Sequence, residues 1–400
     1  MSRKEPNTLI ALSSSTWDEE ELRVAKRVLD SGNLSMGKEV AEFEETFAAT
    51  VGSRFAVMFN SGSSANLGLF FALKYGKDIN LKQSSEVIVP AVSWSTSFYP
   101  ISQAGFKLRF VDVNHKTLNI DPDKVLENIN DKTGAILAVN LLGNPSELSI
   151  LRDIAESKNI LLLEDNCESL GATLGGKQTG TFGIAGTYSF YFSHHICTME
   201  GGMVVTDSQE LQQVMRSIRA HGWTRGLPAD NLVHPLSLNP WEDLFRFVLP
   251  GFNLRPLEIS GAVGKTQLSK LDNIVQMRRL NAQRFVELFS DSKYFSIQEE
   301  NGESSWFGFS LILKDRISQS RTKLIDLLTN SGIETRPIVA GNFLRNPVMK
   351  HLDFIAEGTF INADLIHDRG FFIGNHHFDF RDKLEEFHQL IENFAMKESK

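Results

Sequence analysis

Seven short β-rich runs recur through the first half of this chain, at Arg54–Phe59, Glu86–Val89, Lys107–Asp112, Ala135–Asn140, Ile160–Glu164, Thr187–Phe192 and Met203–Thr206. Most are continuous in apolar residues, as strands covered on both faces must be, and the spacers between them can hold crossover helices. That pattern predicts an α/β fold on a mostly parallel seven-stranded sheet. Ahead of it, Thr16-Trp17-Asp18-Glu19 predicts a capping box opening a helix with Leu22, Ala25, Val28 and Leu29 on one face. A second helix carries the stripe Val40, Phe43, Phe47 and Val51 and stops at Gly52.

Around residues 222–256 the pattern lapses into Gly, Pro, Trp and Asn, which is loop composition. One long helical stretch is expected near Leu257–Leu288. Strand Trp306–Leu313, helix Lys323–Thr329, strand Glu334–Val339 and helix Lys383–Asn393 then suggest a smaller α+β domain. The expected division is a large domain over 1–255, with the connecting helix and smaller domain over 256–400.

Charge and cysteine content narrow the function classes. With 41 Lys+Arg against 49 Asp+Glu, the net charge of −8 disfavours nucleic acid or an anionic membrane as partner. Two cysteines, Cys167 and Cys197, are too few for a disulfide framework or an ordinary four-cysteine iron–sulfur cluster. The polar opening Met1–Pro6 leads into no long apolar stretch, and no apolar run reaches the ~20 residues of a spanning helix, so a cytoplasmic protein is expected.

Several segments carry chemistry. Asn60-Ser61-Gly62-Ser63-Ser64-Ala65-Asn66 lies between a strand and a helix, where small residues bare backbone N–H groups; it reads either as an anion cup or as a tight turn capped by Ser. Leu161-Leu162-Leu163-Glu164-Asp165 ends a buried strand in two carboxylates, at the sheet edge where α/β folds bind ligands. Asp165 is suited to keeping a heteroaromatic nitrogen protonated, or to capping a helix. His194-His195 suggests metal, but neighbours on extended chain point opposite ways and no further ligand stands at a recognised spacing, so proton transfer suits a histidine here better. Gly261-Ala262-Val263-Gly264-Lys265-Thr266 imitates a phosphate loop but lacks its first glycine, since Ile259 stands there. His376-His377 reads as surface or packing, and Trp94 could offer its face to a flat ligand.

In their order along nearly the whole chain, these pieces, with Pro90-Ala91-Val92-Ser93-Trp94, Ser189-Phe190-Tyr191, Gly201-Gly202 and Pro250-Gly251-Phe252-Asn253-Leu254-Arg255, resemble the sugar aminotransferase family with DegT-, DnrJ-, EryC- and StrS-like members. The resemblance implies the aspartate-aminotransferase-like PLP fold type I and pyridoxal 5′-phosphate as cofactor. It further implies that Gly62, Ser63 and Ser189 bind the cofactor phosphate and that Asn253 reaches the same group across a homodimer interface. Trp94 would stack on the ring, Asp165 would pair with its nitrogen, and Glu168 would lie near its phenolic oxygen, where many relatives carry Gln.

One position departs from the family. Five residues after Ser189, where family aminotransferases carry the lysine that tethers the cofactor and shuttles a proton, this chain has His194. An imidazole forms no such tether but still serves as a base. The same replacement marks a subgroup, the 3-dehydratases of nucleotide-linked 4-keto-6-deoxyhexoses, and His194-His195-Ile196 resembles its local pattern. One kind of these enzymes uses a 2Fe–2S cluster on four cysteines and a reductase partner, neither of which is expected here. The resemblance therefore points to the kind acting on GDP-4-keto-6-deoxy-D-mannose with L-glutamate as amino donor. It would alternate between pyridoxal and pyridoxamine 5′-phosphate, release ammonia, and serve deoxysugar synthesis for a surface polysaccharide. An aminotransferase using another lysine and a catalytically silent sugar-nucleotide-binding regulator are the competing readings.

Overall fold

A computed structural model describes residues 8–237 and 239–400; the polar segment Met1–Pro6 considered above lies outside the described residues. The large sheet runs in the order Phe55–Phe59, Gly202–Thr206, Ala185–Ser189, Leu161–Asp165, Thr133–Val139, Glu86–Pro90, Lys107–Val111 and Phe354–Ala356. Its first two junctions are antiparallel and the other five parallel. All seven expected strands are present, and the sheet has eight rather than seven. The eighth is a three-residue edge strand from far along the chain, too short to show an apolar pattern of its own. The expected run Thr187–Phe192 ends earlier, at Ser189, because Tyr191 and Phe192 turn out of the sheet and are each 42% exposed.

The first helix, Glu19–Ser31, is capped two residues later than expected. Its N-cap is Asp18, boxed with Glu21, while Thr16 donates to Gln267 at 2.5 Å. Glu21 is consequently buried with Ala25 and Val28, whereas Leu22 and Leu29 face solvent. The second helix, Lys38–Val51, buries the predicted stripe and stops at Gly52, which takes a left-handed φ of 77° that favours glycine.

The expected long helix is two, Glu258–Leu268 and Leu271–Phe289. The Ser269 hydroxyl donates back to the Thr266 carbonyl, and the Lys270 ammonium is drawn to Asp18 and Glu21. The apparent phosphate loop lies inside the first of these helices. A Cβ on Gly264 would sit 2.5 Å from the Phe43 ring and one on Gly261 2.5 Å from the Val40 nitrogen, so both glycines serve close helix packing.

A second, antiparallel sheet has the order Phe295–Ile297, Gly308–Leu313, Gly370–Gly374 and Thr335–Arg336. Helices Leu271–Phe289, Arg321–Asn330 and Arg381–Glu398 bury Phe285, Phe289, Leu324, Phe387 and Ile391 in the same core as Phe309. The chain crosses between cores more than once: Ile10 pairs with Ile333 and is buried in this second core, while Phe354–Ala356 returns to the large sheet. Among the described residues no helix is long and apolar enough to cross a membrane.

Candidate active site

The parallel strands deliver their C-terminal ends to one edge, and Glu164 and Asp165 point to opposite faces there. Glu164 is fully buried and accepts from the N–H groups of Gly180 (2.6 Å), Phe182 (2.6 Å) and Gly183 (3.0 Å), a closed socket that leaves it a structural role. Asp165 is differently placed. Its Oδ2 accepts from Asn66 Nδ2 at 2.9 Å and Ser97 Oγ at 2.8 Å, while Oδ1 accepts from the Cys167 N–H at a long 3.2 Å. Thr187 fixes Asn66 in turn by donating to its Oδ1. One carboxylate is thereby aimed by two helices and a strand, with acceptor capacity left on Oδ1.

Beside it, helix Gly62–Tyr75 starts with Ser61 as N-cap, whose Oγ accepts from the Ser64 N–H at 3.0 Å. The remaining N–H groups of that first turn have no acceptor within the helix. A Cβ on Gly62 would meet the Ser189 Cβ at 2.7 Å and Cys167 Sγ at 3.1 Å, so helix start and strand end abut. Ser63 Oγ donates to Thr96 Oγ1 at 2.9 Å. Trp94 holds the N-cap position of helix Ser95–Ala104 with its indole 58% exposed.

Glu168 follows in the turn after Asp165 and accepts the Leu142 N–H at 2.9 Å. Burial raises its carboxyl to about 7, with nearby Asp165 adding to the rise and the Leu142 N–H opposing it. His194 lies half-buried in the turn after Ser189, its ring between Tyr191 and Phe307. Burial first, then Arg278, lowers its pKa to about 4, so the imidazole is neutral at pH 7 and able to accept a proton. His195 is committed elsewhere: it is buried and its Nε2 donates to the Ser305 carbonyl at 3.0 Å. His376 also packs, stacked on Phe378 and bonded to Ser14.

Five of the candidate residues, Gly62, Ser63, Trp94, Asp165 and Ser189, thus lie on strand ends and helix starts along one sheet edge, and Glu168 and His194 are in adjoining turns. Asn253 is apart from them. Its side chain is exposed and accepts from Arg255 at 3.0 Å, touching none of the others within this subunit. Asn66, Thr96, Ser97 and Thr187 were not among the expected site residues, though the first three sit within or next to the motifs named above. Leu142 and Phe307, which act through distant parts of the chain, leave no local signal. Helix-start N–H groups, an exposed flat indole and a fixed carboxylate with a free lone pair are the donor set that a phosphorylated heteroaromatic ring requires, so the residues fit pyridoxal phosphate.

The family model described as DegT/DnrJ/EryC1/StrS aminotransferase family matches residues 15–385. The chain belongs to this family. Among relatives of the DegT/DnrJ/EryC1/StrS family it is 51% identical over 382 residues to GDP-4-keto-6-deoxy-D-mannose 3-dehydratase of Yersinia pseudotuberculosis, covering 95% of this chain and 97% of that protein. It superposes on the Escherichia coli GDP-4-keto-6-deoxy-D-mannose-3-dehydratase structure with bound hydrated PLP at a TM-score of 0.93, with 48% identity over 95% of this chain and 98% of that one. A structure of GDP-4-keto-6-deoxymannose-3-dehydratase with a trapped PLP-glutamate geminal diamine matches with the same TM-score of 0.93, at 47% identity over 95% and 99% of the two chains. The scaffold is that of the PLP-dependent aminotransferase fold, as the sequence resemblance implied.

Proposed function

We propose that this chain is a pyridoxal/pyridoxamine phosphate-dependent 3-dehydratase that removes the C3 hydroxyl of GDP-4-keto-6-deoxy-D-mannose, with L-glutamate as amino donor and ammonia released. The observation that carries the reading is an imidazole, His194, in the position where family aminotransferases hold a lysine, in the turn after a strand that pairs with the strand of Asp165 and whose end abuts the helix start at Gly62. Support comes from the named activity of the 51%-identical Yersinia relative and from the neighbouring structures with PLP and with PLP-glutamate.

The first-turn N–H groups of Gly62 and Ser63 and the Ser189 hydroxyl would hold the cofactor phosphate, joined by Asn253 from a second subunit of a homodimer. Trp94 would cover one ring face, Asp165 Oδ1 would accept the ring N–H, and Glu168 would face the phenolic oxygen. When bound, the cofactor supplies an electron sink and, in its amine form, the nitrogen that engages the sugar's C4 ketone. His194 would take a proton at its Nε2, which has no protein partner among the described residues, and return it to the departing C3 oxygen so that water leaves. A lysine would instead reprotonate the sugar C4 and complete a transamination. The two free cysteines, Cys167 and Cys197, suit a reducing cytoplasm, and the product would enter deoxysugar synthesis for a surface polysaccharide.

Mass spectrometry of the enzyme with GDP-4-keto-6-deoxy-D-mannose, glutamate and pyridoxal phosphate tests the proposal. The expected product has lost a hydroxyl, ammonia appears, and His194→Ala abolishes turnover while retaining cofactor. Net amination would identify an aminotransferase and no change a binding protein; either overturns the reading.

A further inference from the structure

His194 lacks the orienting partner that a working histidine ordinarily has. Its nearest polar contact is Ser193 Oγ at 3.5 Å from Nδ1, the outer limit of a hydrogen bond, whereas the neighbouring His195 is fixed by the Ser305 carbonyl at 3.0 Å. Something else must hold the ring. Two aromatic rings flank it: Tyr191 at 6.1 Å, from its own turn and 42% exposed, and Phe307 at 5.3 Å and 63°, from a distant part of the chain.

Phe307 is itself held at both ends of its backbone. Its N–H donates to the Leu142 carbonyl at 2.9 Å, and its carbonyl accepts from Arg278 Nη1 at 3.0 Å. The residues before it are equally fixed: the Trp306 carbonyl accepts from Asn375, and the Ser305 N–H donates to the Gly143 carbonyl. The two segments touch so closely that a Cβ on Gly143, whose φ is +94°, would lie 2.5 Å from the Trp306 nitrogen and 2.7 Å from that of Phe307. Leu142, also left-handed at φ 55°, turns its own N–H the other way, onto Glu168. A side chain on each side of the cleft is therefore set by one pair of locked turns.

We propose that Phe307 is the positioning residue of the base: anchored between Leu142 and Arg278, it presents its ring to the His194 imidazole and fixes the direction in which that imidazole accepts a proton. This inference rests on His194 being the base. Phe307 does not move protons; it excludes water from one side of the imidazole and removes rotational freedom that would scatter the reacting nitrogen. The groups facing His194 are Arg278 from helix Leu271–Phe289, whose charge lowers the imidazole pKa, and Tyr191 and His195 from its own turn.

The test is an NMR titration of histidine-labelled holoenzyme and cofactor-free protein, with the His194 signal assigned by its loss in His194→Gln. In Phe307→Ala the His194 pKa is expected to rise by about one unit or more as water reaches the ring. The acid limb of the kcat/KM profile moves with it, and kcat falls about tenfold with KM for the nucleotide sugar nearly unchanged. Phe307→Tyr, which keeps the ring, restores both, and Phe307→Leu supplies the same comparison in a side chain of similar bulk if the alanine variant does not fold. An unmoved His194 pKa, or a loss confined to KM, overturns the proposal. Failure of the underlying reading shows separately, as dehydration surviving in His194→Gln.

Discussion

At the scale of single residues, burial sets the protonation of two groups of the site, His194 and Glu168. His194 is held neutral and Glu168 is held half-protonated near pH 7, so the two respond to pH in opposite senses. Glu168 has a folded-state pKa above its unfolded value, so its contribution to stability is fully present below about pH 4.5 and is lost as pH rises through about 7. Glutamine mimics the protonated carboxyl without titrating. Glu168→Gln should therefore melt like the parent at pH 4.5 and be more stable at pH 8, by about 1–3 kcal/mol in calorimetry or chemical denaturation. An equal difference at both values would show that burial does not set this carboxyl. Asp165, Gly62, Ser189 and His194 were legible in the sequence because they lie in short contiguous motifs. Leu142 and Phe307 were not, because a main-chain bond and a ring contact between residues more than 110 positions apart leave no trace in either local sequence.

At the scale of elements, what matters is how a helix start is pressed against a strand end. Gly62 opens helix Gly62–Tyr75 with its Cα against Ser189, and a methyl group there would fall 2.7 Å from the Ser189 Cβ. Gly62→Ala is expected to widen that contact and weaken pyridoxal phosphate binding about tenfold or more in a fluorescence titration, while the melting temperature without cofactor falls by the equivalent of about 1–3 kcal/mol. Undiminished affinity would remove the helix start from the phosphate site. The strands of the large sheet were readable from continuous apolar runs, but Phe354–Ala356 is too short for pattern to reveal and Gly370–Gly374 is bounded by glycines that interrupt its apolar run. The break at Ser269-Lys270 was hidden for a different reason: it contains neither proline nor glycine and is made by side chains reaching elsewhere.

At the scale of the molecule, the segment between the two cores leaves a concentration of large apolar side chains in solvent. Trp241 is 78% exposed, Phe245 68%, Phe247 57% and Leu257 57%, on the stretch that also bears Asn253. Isolated apolar residues on a surface need no explanation, whereas this many in one segment would be covered if a second subunit packed there. Sedimentation velocity should find a dimer, and Trp241→Glu together with Phe245→Glu should shift it toward monomer and weaken cofactor binding, since Asn253 would no longer reach a neighbouring site. A wild-type monomer with full cofactor affinity would remove Asn253 from the phosphate contacts. The loop composition of 222–256 was plain in the sequence, but which of its aromatics stay uncovered depends on tertiary packing and was not.

With an imidazole where an amine would be, this enzyme is expected to work on a cofactor that it never holds by a covalent bond to its own chain. Borohydride reduction of the loaded enzyme, followed by peptide mass spectrometry of the whole digest, tests it most directly. Free reduced cofactor and no pyridoxyl group on any lysine are expected. A lysine peptide carrying that group would contradict this expectation.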